Sequence, residues 1–290
     1  MKKIIQAISL LAAACSIYTN ARQPIQSKDI ESICNKDIKV YIQNPTLTHE
    51  HNKALFHIIR EDLIKTDTWD VDENILEIIR DRENLKIDLN SGKIFYNRIH
   101  QNRPLGVNNL DFSTALSIAK SFIESKLGIP SADYTLDSHY SHQVFLDDGG
   151  LCTEDIYFGF RRVVNDLKCY GDGASFLIKI GKELTIDHIS INWIEIEPDS
   201  DYVNSSTESL VAKCRSTANS DNNDTVAGFP PKEVYRTSLS RDGRLIFKHS
   251  IMVCGQKIVD DGIDQAHYSR EFIPTIVYND KNKNQRGPHD

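Results

Sequence analysis

The chain has 290 residues, of which 40% are hydrophobic and 26% charged, with a formal net charge of −7. A length of this order buries a sizeable core and forms one large or two smaller domains, and the composition is that of a soluble globular protein. Lys and Arg form no cluster and the balance is acidic, which argues against nucleic acid or an anionic membrane surface as a partner.

Residues 1–21 read as a secretory signal. Lys2 and Lys3 supply its positive start, and Ile4 to Ala14 an apolar stretch too short to span a bilayer. Two cleavage readings compete. Thr19-Asn20-Ala21 offers small residues at the spacing used by ordinary signal peptidase, giving a secreted or periplasmic protein. Leu11 to Cys15 resembles a lipobox, in which Cys15 becomes the lipidated first residue of a membrane-anchored lipoprotein, although the leucine lies one place too far from the cysteine. Cleavage removes Lys2 and Lys3 and takes the formal charge from −7 to −9. Five cysteines survive either cut: Cys34, Cys152, Cys169, Cys214 and Cys254. An oxidising compartment implies two disulfides and one leftover thiol. Cys152 with Cys169, and Cys214 with Cys254, are the candidate pairs, and the connectivity stays open.

The segment 22–103 begins without a clear pattern and then predicts an amphipathic helix over 50–65, with Ala54, Leu55, Ile58, Ile59 and Leu63 on one face. Residues 74–80 are apolar enough for helix or strand. Runs at 85–89 and 93–99 around Asn90-Ser91-Gly92 form a hairpin signature. A helix followed by paired strands repeats in the next segment, so 22–103 reads as a degenerate copy of that unit. Asn102 to Gly106 punctuates the chain. A second helix starts at Asp111 or Ser113, buries Ala115, Leu116, Ala119, Phe122, Ile123 and Leu127, and stops at Gly128 and Pro130. Strand signals follow at 134–146, 156–164, 174–180 and 184–193, separated by Asp147 to Gly150, Asn165-Asp166 and Gly171-Asp172-Gly173. Along 184–193 the alternation is period two, but its apolar side shifts midway. The stretch 199–228 is a polar linker with a short helix, 229–278 holds a hairpin signal and one more strand, and 279–290 is a polar tail.

The helix FSTALSIAKSFIESKLG and the strands FRRVVNDLKCYGDGASFLIKIGKELTIDHISINW together resemble the PepSY-type propeptide domain over about residues 111–193. The matching features are Phe160-Arg161, the turn at Asn165, the Gly171-Asp172-Gly173 step and the closing Trp193. Asp166 stands where that family commonly has glycine. The resemblance implies an α+β fold in which a helix packs on an antiparallel β-sheet, here in two such units (22–103 and 104–198) plus a C-terminal β-hairpin. It also implies an exported protein that inhibits or assists a peptidase. No peptidase sequence follows residue 193, so the implied role is exerted in trans.

Candidate chemistry is sparse. His49-Glu50-His51 would need a histidine where Lys53 stands to form a zinc-peptidase motif, and His57 is too distant along the helix. His139 and His142 fall on opposite faces of a strand. The segment Asp260 to Asp264 lacks calcium-loop spacing, and no GxSxG or phosphate-cradling loop occurs. No catalytic residue, metal or cofactor is therefore assigned. Arg161, Arg162, Tyr170 and Trp193 are the candidate contact residues for a protein partner, expected to be a secreted or envelope peptidase. Against this stands a purely structural reading: Trp193 capping the core, one arginine in an ion pair and the other in solvent. The reading at this level is a non-catalytic exported binding protein, with a lipid-anchored envelope protein held at Cys15 as the alternative.

Overall fold

The computed structural model describes residues 39–99, 110–146, 149–181, 183–200, 202–205, 209–210, 212–213, 225–227, 232–240, 242–259 and 265–278. The signal at 1–21 with Cys15, the loop at 102–106, Cys34, Cys214, the segment 260–264 and the tail from 279 lie outside the described residues, as does the side chain of Cys254.

The first part of the chain forms β1 (Val40–Gln43), α1 (Pro45–Ile59), a π-helical turn (Arg60–Ile64), β2 (Asp70–Asp72), β3 (Ile75–Ile79), β4 (Glu83–Asp88) and β5 (Lys93–Arg98). Next come α2 (Phe112–Ser125), β6 (Tyr134–Phe145), β7 (Leu151–Val164), β8 (Leu167–Tyr170), β9 (Ala174–Gly181), β10 (Ile186–Trp193) and β11 (Ile196–Asp199). The remainder supplies β12 (Tyr202–Asn204), β13 (Thr225–Ala227), β14 (Lys232–Leu239), β15 (Leu245–Val259), β16 (Gln265–Pro274) and β17 (Ile276–Tyr278). Two compact units result, the described residues of the larger lying within 37–204, 233–250 and 276–290 and those of the smaller within 205–232 and 251–275.

Helices α1 and α2 each begin where a side chain satisfies an orphan amide. Asn44 accepts from the Leu47 amide at 3.0 Å, and Pro45, which has no amide to orphan, takes the first turn. This start lies five residues before the expected one. After Ile59 the helix widens into the π turn and ends at Lys65, whose φ is 56°. Asp111 accepts from the Thr114 amide at 2.7 Å and from its hydroxyl at 2.8 Å, so α2 starts where the sequence predicts. Ala115, Ala119, Phe122 and Ile123 face inward, and Gly128 follows with φ 68°.

In the larger unit the sheet order is β11-β1-β15-β14-β8-β7-β9-β10-β5-β4-β3-β2, with β6 added on β7. Most neighbours whose register is defined are antiparallel, but β14 runs parallel to β8, with Tyr235 opposite Cys169. A separate ribbon joins β12 to β17. The inner side of β7, β9 and β10 presents Phe158, Phe160, Phe176, Ile178, Ile189 and Ile191, all buried in one core with the inward faces of α1 and α2. The shift of apolar side seen in 184–193 is a β-bulge: the register against β9 slips between Ile186 and His188, so Ile186 and Asp187 are both buried before alternation resumes. In the smaller unit β13 pairs antiparallel with β15, Thr225 opposite Lys257, and β16 also pairs with β15.

Four expectations are corrected. The fold class expected, an α+β protein of two helix-on-sheet units with a C-terminal hairpin, is replaced by a large mixed β-sheet in which helices are a minor part. The two supposed units are not separate, because β10 pairs along its second edge with β5, placing Ile189 opposite Tyr96. The C-terminal strands enter the same sheet through β14 on β8 and β15 on β1. Unpaired strand edges carry obligatory donors and acceptors, and here edges distant in sequence satisfy one another. The 152–169 disulfide is not formed either: both cysteines are buried and neither is disulfide-bonded. Cys152 lies near the start of β7, whereas β8 pairs at its far end, Val163 opposite Lys168. That is about 35 Å of strand, against a bridging limit near 7 Å between Cα atoms.

Candidate functional site

Alternation along β7 sends Arg161 and Arg162 to opposite sides of the sheet. Arg162 points inward and is 6% exposed. Its Nη1 donates to the Ile194 carbonyl at 2.6 Å and to the Gly173 carbonyl at 3.4 Å. The guanidinium lies 4.0 Å from the centre of the Trp193 ring and 5.5 Å from that of Phe247. Burial pulls its pKa below the ordinary arginine value. Trp193 is itself 5% exposed and tilts against Phe176 at 5.4 Å. The structure thus brings two of the four candidate contact residues together, but inside, as a desolvated cation–π pair.

Arg161 and Tyr170 meet on the outer side, the guanidinium 4.6 Å from the ring centre. Arg161 Nε donates to Asp137 at 2.7 Å and Lys168 Nζ to the other carboxylate oxygen at 3.0 Å. Burial acts against ionisation of Asp137, but the bonds from Lys168 and Arg161 outweigh it and hold the carboxyl below the usual carboxylate range.

The strand registers lay the outer side chains out in rows across β6, β7, β9, β10 and β5. One row runs Tyr140, Tyr157, Lys179, His188, Asn97. The next runs Ser138, Gly159, Leu177, Ser190, Phe95, and the third Thr135, Arg161, Ser175, Asn192, Lys93. The middle row is low. A trough of about 200 Å³ lies here, lined by Ser138, Gly159, Leu177, Ser190, Ser175 and Asn192 among others. A Cβ at Gly159 would sit 2.5 Å from Ser138 Oγ, so glycine keeps the floor at backbone level.

Both walls are held by their own contacts. Tyr140 stacks on Tyr157 with ring centres 4.9 Å apart, and Lys179 stands over Tyr157 at 5.6 Å while its Nζ meets Asp155 at 3.2 Å. His188 packs edge-on against Phe95 at 5.1 Å, and burial, with Lys179 nearby, lowers its pKa. On the other wall Asn192 accepts from the Gly173 amide at 2.8 Å and donates to Asp172 at 3.2 Å. The hydroxyls of Ser138, Ser175 and Ser190 take no hydrogen-bond partner among the described residues, and all three residues line the trough. Its chemistry is that of a recognition surface: hydroxyls, an amide, aromatic rings and one guanidinium already matched to a carboxylate.

The histidines weighed as metal ligands are dispersed. His51 Nδ1 bonds Glu195 at 2.9 Å, His57 packs on Phe56 and Trp69, His139 on Phe112, and His142 faces Asp155 at 3.7 Å. Sequence reasoning missed the trough. Its residues were visible as the polar members of alternating strands, but only the cross-strand registers reveal that Ser138, Gly159 and Ser190 share one row.

No family model matches the chain, and no curated protein matches it. Among solved structures, a crystal structure of an uncharacterised protein from Eubacterium rectale is similar at TM-score 0.49 and 10% identity, covering 82% of this chain and 84% of that one. That degree of likeness carries no argument about function.

Proposed function

We propose that the protein binds rather than catalyses, and that a protein partner rests on the outer trough of β6, β7, β9 and β10. One observation carries the reading: three serine hydroxyls with no hydrogen-bond partner among the described residues line the trough, Ser138 and Ser190 in the row of Gly159 and Ser175 in the next, framed by Tyr140 and Tyr157 on one side and Arg161 with Tyr170 on the other. The charges at its walls are matched, Arg161 and Lys168 on Asp137 and Lys179 on Asp155. Such a surface suits an uncharged polar segment more than an ionic one. The resemblance of 111–193 to propeptide domains makes a secreted or envelope peptidase, regulated in trans, the partner of choice.

A photo-crosslinking residue in place of Leu177, introduced into the full chain in its native cell, tests this directly. The expected result is one discrete adduct containing a peptidase, absent when Gly159→Leu fills the trough. No adduct, or one insensitive to that substitution, sinks the reading. Mass spectrometry of the mature N-terminus separates a released protein beginning at Arg22 from an envelope protein lipidated at Cys15. Secreted proteolysis unchanged by deletion of the gene counts against the regulatory role.

A further inference from the structure

We propose that the edge of β6 is a strand-addition site that takes an extended, uncharged segment of the partner, an inference that rests on the binding reading above. Among the described residues β6 pairs with β7 alone, although it is 12 residues long. Its side chains from Ser138 to Gln143 are exposed. A strand paired on one side presents a row of main-chain donors and acceptors that another chain can take up. Natural edges are usually blunted by lysine, proline or short length, and 134–145 contains no Lys, Arg or Pro. Its single formal charge, Asp137, is already matched by Arg161 and Lys168.

The local geometry limits what fits. Register shifts between Leu136 and Ser138 and between His142 and Gln143 bound a regular window, 138–142. On the outer side this window shows Ser138 and Tyr140, the ends of the trough row and of its aromatic wall, so an added strand continues both rows. On the inner side it shows His139, packed against Phe112 at 4.9 Å, and Phe112 is 36% exposed. An added strand would cover that ring, which calls for an apolar side chain at the facing position. The ligand class is therefore a segment of about five residues, without charge, apolar at alternate positions and hydroxyl-bearing or aromatic between them.

The probe is a blocked heptapeptide alternating Val and Thr, titrated by fluorescence anisotropy onto the full mature chain. Two versions carry N-methyl groups on alternate residues, one set odd and one set even. Main-chain pairing to a single edge uses only one of these sets, so one version is expected to bind at least about tenfold more weakly and the other within about twofold of the parent. Amides in 138–142 are expected to gain hydrogen-exchange protection on binding. Ser141→Lys is expected to weaken the parent peptide about tenfold while leaving the urea midpoint unchanged. Absence of binding up to about millimolar peptide, or equal loss with both methylated sets, overturns the proposal. So does a sedimenting dimer that already protects 138–142 without peptide, which would make a second copy the occupant. If the Leu177 adduct persists while the peptide fails, only the edge proposal falls; loss of both removes the binding reading too.

Discussion

Replacing Arg162 by methionine keeps a stem of similar reach and removes the charge from the inner side of β7. The short bond to the Ile194 carbonyl goes, and a charge-assisted bond of this kind contributes ~2 kcal/mol. The contact with Trp193 at 4.0 Å goes as well, at a desolvated site where such contacts contribute about 2 kcal/mol. Burying a thioether in place of a guanidinium returns ~1 kcal/mol of apolar burial. The net expectation is a loss of about 3 kcal/mol for Arg162→Met, against under ~1 kcal/mol for Arg161→Met, whose ion pair with Asp137 is partly solvated. Urea unfolding followed by tryptophan fluorescence measures both, and Trp193, one of two tryptophans, lies directly under the guanidinium. The competing effect is the cost of holding a guanidinium out of water, which in other buried charge sites exceeds what its bonds return. If Arg162→Met matches or exceeds the parent in stability, desolvation wins and the buried cation is not what joins β7 to the Ile194 backbone.

Gly92 and Gly128 both have φ near 70°, but a Cβ on Gly92 would strike the Trp193 carbonyl and lie 2.8 Å from Ile194 Cγ2, whereas one on Gly128 meets nothing within 4 Å. Alanine is therefore expected to cost about 1 kcal/mol at 128 and at least ~3 kcal/mol at 92, read as shifts in urea midpoint. Burial pushes the Cys169 thiol up to about 12, and Cys152 is equally enclosed, so a maleimide should leave both unlabelled in the folded chain and label both in denaturant. Labelling of Cys169 under native conditions would show that β8 opens. The Glu195 carboxyl is held below its usual range first by the hydrogen bond from His51, and Asp137 by Lys168 and Arg161 against burial. Both folded values lie below the unfolded ones, so the stability they add is present above about pH 4 to 5 and is lost as pH falls through the folded values. Glu195→Gln combined with Asp137→Asn should accordingly flatten the fall in urea midpoint between about pH 5 and pH 3; an unchanged slope refutes the assignment.

Local features of this molecule were legible in its sequence where the cause was local. Asp111 as cap, Gly128 as stop, the left-handed pair Asn165-Asp166 (φ 48° and 63°) and the hairpin closed by Gly92 all follow from side-chain or backbone chemistry within a few residues. The helix at Pro45–Ile59 was found but misplaced, because the weight given to apolar spacing overrode the Asn44-Pro45 start, and Ala54, counted as core, is exposed. Strand partners left no local trace. Nothing near Tyr96 announces Ile189 as its neighbour, and nothing near Cys169 announces a parallel partner at Tyr235. The candidate contact residues divided for the same reason: alternation told that Arg161 and Arg162 part company, but not which side the core would take.

The position of β1 carries a consequence for how the chain comes together. Val40 to Gln43 pair with 196–199 on one flank and Tyr41-Ile42 with 246–247 on the other. A ribosome working at roughly 5–20 residues per second delivers the second of those flanks about 10–40 s after the first residues of the strand. Until residue 199 arrives all four residues wait with bare amides and carbonyls, and from then until Phe247 arrives Tyr41 and Ile42 still lack their second neighbour, which local contacts cannot supply. A product released before Phe247 keeps that seam open, so completeness of synthesis is written into the molecule as a closed or gaping slot beside Tyr41.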